Sequence, residues 1–427
     1  MRISVIGGGY VGLVSSACFA ELGHNVNIIE IDKAKVEAIN TGKAPIYEKG
    51  LDELLSRHAG GNLNATDSYD MVADSDLSFI CVGTPPGPDG DADLSMVASA
   101  SRSIGKNLRD REGYHAVVVK STVPPSTTET LVMPTVLKEV GDMAGDRSDN
   151  IGFAMNPEFL REGVAVEDFM HPDRIVIGCS EDEAGDLVES AYSGIDSPVH
   201  RVGIKAAEMI KYASNAMLAT KISFSNEIGN ICKDLGVDVY EVMRGVGLDH
   251  RISPHFLNAG AGFGGSCLPK DVSALVRLAE SLGEDPILLK SVIEINERQP
   301  QRLVKLLEKK IGDLGGKEIA VLGLAFKNDT DDVRDSRAIK VILELMKRGA
   351  RIRAYDPLAV PNMQKLISDV RYFRSAAEAL KDADACLIMT EWPEFSSLDE
   401  EFGLMKSRVI LEGRRVLSCV GSEGICW

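Results

Sequence analysis

The stretch Arg2-Ile3-Ser4-Val5-Ile6-Gly7-Gly8-Gly9-Tyr10-Val11-Gly12 decides the fold. Its first five residues, rich in Ile and Val, predict a buried parallel strand. The glycines at 7, 9 and 12 then satisfy G-x-G-x-x-G at the start of a helical pattern that Tyr10 and Val11 open. Gly7 permits a tight turn, Gly9 lets a pyrophosphate reach the backbone, and Gly12 lets the helix pack on the strand, with the helix N-terminus facing the phosphates. A second predicted strand, Val26 to Glu30, ends in the carboxylate that such a site uses to bond the adenosine ribose. Asp32 competes for that role if the strand end lies two residues later. Either acid repels a 2′-phosphate and so favours NAD over NADP, although Lys33 and Lys35 lie nearby.

Working outward, short apolar runs alternate with amphipathic stretches. Leu77 to Val82, Ala116 to Lys120, Ile151 to Met155 and Arg174 to Gly178 predict further buried parallel strands, and the rhythm implies a doubly wound sheet. Lys205 to Leu235 carries the longest helical pattern without proline. Strand and helix then alternate again through Ile319 to Ala325, Arg351 to Tyr355, Ala385 to Thr390 and Val409 to Glu412. The expected fold is α/β, with two Rossmann-like open parallel-sheet domains joined by a long central helix. The expected divisions are 1–200, 201–310 and 311–427.

The 427 residues, 44% hydrophobic and 26% charged, are ordinary for a folded chain of several cores, and the net charge of −17 makes nucleic acid and anionic membranes poor partners. The eight cysteines are scattered with no CxxC pair, and the seven histidines show no metal-ligand spacing, so no metal is expected and a reducing cytoplasm is. The apolar N-terminal run is broken by glycines and Glu21, which argues against a signal peptide.

Polar residues follow the predicted strands on one edge of the first sheet: Thr84, Thr122, and Asn156-Pro157-Glu158. A helix starting at Pro157 would put Glu158 and Glu162 on one face. Lys211 and Asn215, one turn apart, project from one face of the long helix. In Gly262-Phe263-Gly264-Gly265-Ser266-Cys267-Leu268-Pro269-Lys270-Asp271, three glycines allow close approach of a substrate. Cys267 is expected at a helix N-terminus beside Lys270, two influences that favour a thiolate.

Gly7 to Gly12, Asn156-Pro157-Glu158-Phe159-Leu160-Arg161-Glu162-Gly163, Lys211-Tyr212-Ala213-Ser214-Asn215-Ala216, the Cys267 segment and Ala325-Phe326-Lys327 together make the chain resemble the nucleotide-sugar 6-dehydrogenases over essentially its whole length. His255-Phe256-Leu257-Asn258-Ala259-Gly260 looks like the members acting on UDP-glucose. Siblings acting on GDP-mannose or UDP-N-acetylmannosamine are the alternative, and a non-catalytic nucleotide-sugar sensor the remote one.

The resemblance implies an NAD-dependent four-electron oxidation through a cysteine thiohemiacetal and thioester. Cys267 is then the nucleophile, Lys211 and Asn215 stabilise oxyanions, and Asp271 with Lys211 holds the hydrolytic water. Glu158 is the general base and Thr122 orients its water. Glu30, Lys35, Thr84, Thr122, Glu162 and Arg334 would join Gly7, Gly9, Tyr10, Val11 and Gly12 in binding NAD. The run Glu158, Phe159, Leu160, Arg161 and Glu162, with Lys211, Asn215, Phe256, Leu257, Asn258, Ala259, Gly260, Gly264 and Lys327, would meet the UDP-sugar. Either Arg414 or Arg415 would join them, with Arg415 the candidate. Arg251 would reach the site of a partner subunit in a homodimer built on the central helix. The tail after Leu417 departs from the family pattern.

Overall fold

The computed structural model describes residues 1–87, 89–141, 150–417 and 421–427, so Ser418 and Cys419 of the divergent tail lie outside the described residues. The chain forms two compact units, Met1–Ser214 and Asn215–Trp427.

The first unit is built on β1 (Arg2–Ile6), β2 (Asn25–Ile29), β3 (Leu63–Thr66), β4 (Leu77–Ile80), β5 (His115–Val119), β6 (Ile151–Met155), β7 (Ile175–Cys179) and β8 (Val199–Val202). Their order in the sheet is β3-β2-β1-β4-β5-β6-β7-β8. The first six run parallel, and the order reverses between β1 and β4, where open α/β sheets form their ligand crevice. Alternate residues of each strand feed the cores on the two faces: Ala116 and Val118 of β5 pack with Ile3, Val5 and Phe79, while Val117 and Val119 pack with Ile6 and Ile80.

The second unit carries β9 (Glu318–Leu322), β10 (Arg351–Tyr355), β11 (Arg371–Tyr372), β12 (Ala385–Ile388), β13 (Ile410–Glu412) and β14 (Ser422–Gly424), all parallel, in the order β11-β10-β9-β12-β13-β14. This is the same 3-2-1-4-5-6 winding as the first six strands of the first unit. The likeness reaches the turn after the first strand of each. Gly7 (φ +106°) donates its N–H to Ile29 at 2.8 Å, and Gly323 (φ +90°) donates to Tyr355 at 2.8 Å. A residue with a Cβ is strained at such φ values.

The helix Ile204–Leu235 runs through the boundary at Ser214 and Asn215. The second unit adds helices Val239–Gly247, Leu268–Ser281 and Ile287–Ile311. Among the described residues, no helix is long and apolar enough to cross a membrane.

Two expectations need correction, and one omission needs filling. β7 is not parallel to its neighbour: Ala154 and Met155 pair antiparallel with Cys179 and Gly178. The link from β6 carries only the short helix Ala165–Met170, and an antiparallel neighbour needs no long crossover. The helix expected at Pro157 does not form. Residues 156–161 are irregular, and helix begins only at Ala165, because Glu48 takes the amides of Gly163 and Ala165 at 2.6 and 2.8 Å. Finally, the short strands β3, β8, β11 and β14 went unpredicted.

Candidate active site

In the first unit the glycine turn is shaped for a dinucleotide. A Cβ at Gly12 would sit 1.9 Å from the Gly7 carbonyl oxygen, and one at Gly7 would sit 2.9 Å from that of Cys81, so both glycines are demanded by packing. Gly9, which precedes the helix Tyr10–Glu21, would meet nothing within 4 Å and leaves open space at that helix start. Glu30 is buried, and its two oxygens accept from Gly8 N–H and Asp32 N–H, both at 2.9 Å. Two bonds leave acceptor capacity for ribose hydroxyls, since a carboxylate offers about four lone-pair positions. Asp32 caps the next helix by accepting from Ala34 N–H at 2.9 Å, which favours Glu30 as the ribose acid.

The second unit tests that reading. Asp356, which follows β10 as Glu30 follows β2, accepts from the N–H groups of Leu324, Ala325, Leu358 and Ala359 and from the Trp392 indole, at 2.7–3.0 Å. Five donors saturate it. The residues of the first turn therefore fit NAD, and this acid of the second turn has nothing left for a ribose.

Other first-unit candidates line the carboxyl ends of the strands. Thr84 Oγ1 donates to the Thr122 carbonyl at 2.8 Å, tying the loops after β4 and β5. Lys211 and Glu158 are buried and form an ion pair at 2.9 Å, with the Lys211 ammonium 5.4 Å from the Phe159 ring centre. Burial alone would raise the Glu158 carboxyl. The charge and hydrogen bond of Lys211, the Leu160 amide and the charge of Lys120 outweigh it, leaving Glu158 below the ordinary carboxylate range. Glu208, one turn before Lys211, accepts from Ser126 N–H, Thr128 N–H and Thr128 Oγ1 at 2.6–2.8 Å and fixes the start of the helix. Tyr10 donates its hydroxyl to Glu48, so that side chain is a structural tie. Arg161 is engaged by Asp168 at 2.6 Å, while Glu162 and Lys35 are half-buried.

In the second unit Cys267 is exposed at the start of helix Leu268–Ser281, with Pro269 in the first turn as expected. Lys270 is paired with Asp271 Oδ1 at 2.5 Å, and Asn215 Nδ2 donates to Asp271 Oδ2 at 2.6 Å. Asp271 is thus a buried carboxylate held by a cation and an amide.

The glycines ahead of Cys267 were expected to admit a substrate, but the chain itself fills that space. A Cβ at Gly262 would meet Asn296 Oδ1 at 2.5 Å, at Gly264 the Asp335 carbonyl at 2.3 Å, and at Gly265 the Phe326 ring at 2.8 Å. Buried amides complete the support. Asn296 exchanges two bonds with Phe263, Asn226 accepts from Gly260 N–H at 2.7 Å, and Gln299 donates to the Gly260 carbonyl at 2.9 Å. Sequence reasoning missed these three; polar residues recurring at apolar helix positions were the available signal.

Phe256 takes φ +64°, a conformation that costs a bulky residue about 1–3 kcal/mol and clusters at functional sites. Leu257 and Ala259 are buried, and Asn258 is exposed. Lys327 lies 5.8 Å from the Phe326 ring centre. Arg334 pairs with Asp332 and accepts at its carbonyl from Gly265 N–H at 3.0 Å, while Arg251 is exposed and paired with Asp249. Of the two arginines left open, Arg414 donates to the Gly262 carbonyl, whereas Arg415 pairs with Asp238 at 2.9 Å over the Tyr240 ring.

Family models match in chain order. Residues 1–196 match the NAD binding domain of the UDP-glucose/GDP-mannose dehydrogenase family, 205–298 its central domain, and 320–419 its UDP binding domain. The chain is 47% identical to UDP-glucose 6-dehydrogenase AglM of Haloferax volcanii, over 98% of this chain and 97% of that protein. A UDP-glucose dehydrogenase structure from Pyrobaculum islandicum superposes with TM-score 0.94 at 44% identity, covering 100% and 98% of the two chains. A UDP-D-ManNAc dehydrogenase from Pyrococcus horikoshii gives 0.88 at 31%, covering 100% and 99%. Carrying the NAD-type glycine turn, the exposed Cys267 and all three domain matches, the chain belongs to the UDP-glucose/GDP-mannose dehydrogenase family.

Proposed function

We propose that the chain oxidises UDP-glucose to UDP-glucuronate with two NAD consumed per turnover. The observation that carries this reading is 47% identity across nearly the whole of a UDP-glucose 6-dehydrogenase. The exposed thiol at the start of a helix supports it. NAD supplies the hydride acceptor, and Gly7, Gly9, Gly12 and Glu30 would hold it.

The chain's residues do the rest. Glu158, kept ionised, takes the proton of the sugar hydroxyl, with Thr122 orienting a water. Lys211 and Asn215 offer a cation and an amide N–H to the alkoxide and to later oxyanions. The Cys267 sulfur adds to the aldehyde carbon, and loss of the second hydride from that thiohemiacetal leaves a thioester. Asp271 positions the water that hydrolyses it and frees the sulfur. The divisions 1–200, 201–310 and 311–427 correspond in this reading to NAD-binding, helical dimerisation and UDP-sugar lobes. Residues 256–260, Gly264, Lys327 and an arginine after β13 serve the sugar nucleotide, and the placement of Arg414 favours it over Arg415.

A homodimer through the long helix belongs to the same proposal. Met217, Phe224 and Ile231, at heptad spacing, are exposed and form one apolar stripe. The cytoplasm is the proposed location, because the described cysteines are free thiols.

Initial rates on UDP-glucose, GDP-mannose and UDP-N-acetylmannosamine test the substrate. The highest kcat/KM is expected for UDP-glucose; a higher value for either sibling sugar would reassign it.

A further inference from the structure

Lys120, which follows β5, is a buried lysine that the proposed chemistry leaves unused. Its ammonium donates to Asn156 Oδ1 at 2.9 Å and to the Tyr192 hydroxyl at 2.8 Å. It also lies 5.5–6.0 Å from the ring centres of Tyr192, Phe79 and Phe169. Both hydrogen-bond partners are uncharged. The Tyr192 hydroxyl donates to Asn156 Oδ1 at 2.6 Å, and Asn156 Nδ2 donates to the Val176 carbonyl at 2.8 Å, so each polar atom of this cluster is bonded. Burying a cation without a carboxylate bonded to it is costly, and such groups concentrate at functional sites.

Asn156 stands two residues before Glu158, so Lys120 grips the segment that delivers the carboxylate. The groups that act on the Glu158 charge come from several elements. Lys211 stands on the long helix, Lys120 after β5, Cys81 after β4, and the Leu160 amide lies on Glu158's own segment. Burial pushes the Cys81 thiol up to about 12 and raises the Tyr192 phenol, so both are neutral at ordinary pH. Two cations and one carboxylate remain. If Lys211 turns to an oxyanion it leaves Glu158, and the charge of Lys120, bonded in place, does not.

We propose that Lys120 is a positioning residue, which fixes Asn156-Pro157-Glu158 and supplies the positive charge that stays behind the Glu158 carboxylate when Lys211 engages a substrate oxyanion. This rests on the reading of Glu158 as general base.

The test is the pH profile of kcat, which reports the groups of the substrate complex, in the wild type and in Lys120→Gln, Lys120→Met, Lys120→Arg, Tyr192→Phe and Glu158→Gln, with NAD and UDP-glucose saturating. Removing the charge should move the acid limb upward by about one pH unit, and Lys120→Arg should restore it. Lys120→Met keeps the apolar stem and carries the same expectation should Lys120→Gln fail to fold. Tyr192→Phe breaks the same hydrogen-bond cluster with the ammonium retained and should leave the limb where it is. An unmoved limb in the neutral variants, or an equal shift in Tyr192→Phe, overturns the proposal. A limb that persists in Glu158→Gln overturns the general-base reading itself, whereas its disappearance there beside an unmoved limb in Lys120→Gln sinks only the role of Lys120.

Discussion

Lys211 meets Glu158 where water is scarce, and in the proposed mechanism the carboxylate serves the reacting alcohol while the ammonium serves the oxyanion. A fixed cation aimed at developing oxyanions acts on the transition state more than on substrate binding. Lys211→Ala should lower kcat by roughly 10² to 10³ with a much smaller change in KM for UDP-glucose. An unchanged kcat would return Lys211 to a packing role. In the proposed reading Glu30 carries the cofactor choice. Its free acceptor capacity suits ribose hydroxyls and repels a 2′-phosphate, so kcat/KM should be far higher with NAD than with NADP. Comparable values would show the ribose acid misassigned.

At the level of elements, β5 contains a buried histidine that ties folding to pH. His115 lies between the Ser75 carbonyl and the Ser78 hydroxyl at 2.9 and 3.0 Å, and burial lowers its pKa to about 3. The unfolded chain binds a proton near pH 6.5, where the folded chain does not, so stability is whole above that pH and falls as pH drops from 6.5 toward 3. The slope from this group is about 1.4 kcal/mol per pH unit. Urea midpoints across pH 7 to 4 should therefore fall less steeply in His115→Leu than in the wild type; equal slopes would contradict the assignment. The helix Ile204–Leu235 carries the other element-scale expectation. Phe224→Asp puts a charge in the middle of its apolar stripe and should shift sedimentation toward monomer, while a fold-competent variant that remains a dimer would place the interface elsewhere.

Across the whole molecule, the two α/β lobes and the long helix were legible because buried parallel strands read as continuous apolar runs and the helix lacks proline. β3 and β11 were not, since Leu63-Asn64-Ala65-Thr66 and Arg371-Tyr372 are short and carry little apolar signal. The direction of β7 was hidden because the apolar run Ile175–Cys179 reads the same in either orientation. Local motifs named Glu30, Lys211 and Cys267. What they could not name was the support arriving from distant sequence: Asn226, Asn296 and Gln299 around the glycine loop, and Lys120 bonded to Asn156 two residues before Glu158. The saturated Asp356 likewise needed coordinates, since its position resembles that of Glu30 and its bonding differs.

The central claim is a four-electron oxidation held on Cys267, and the measurement that meets it most directly is NADH formed per UDP-glucose consumed, followed with intact-protein mass in single turnovers. The wild type should yield two NADH and UDP-glucuronate. Cys267→Ser, a weaker nucleophile whose ester hydrolyses slowly, should lose steady turnover and accumulate any adduct on the enzyme. One NADH per sugar with free aldehyde released by the wild type, or wild-type rate and two-to-one stoichiometry in Cys267→Ser, would contradict it.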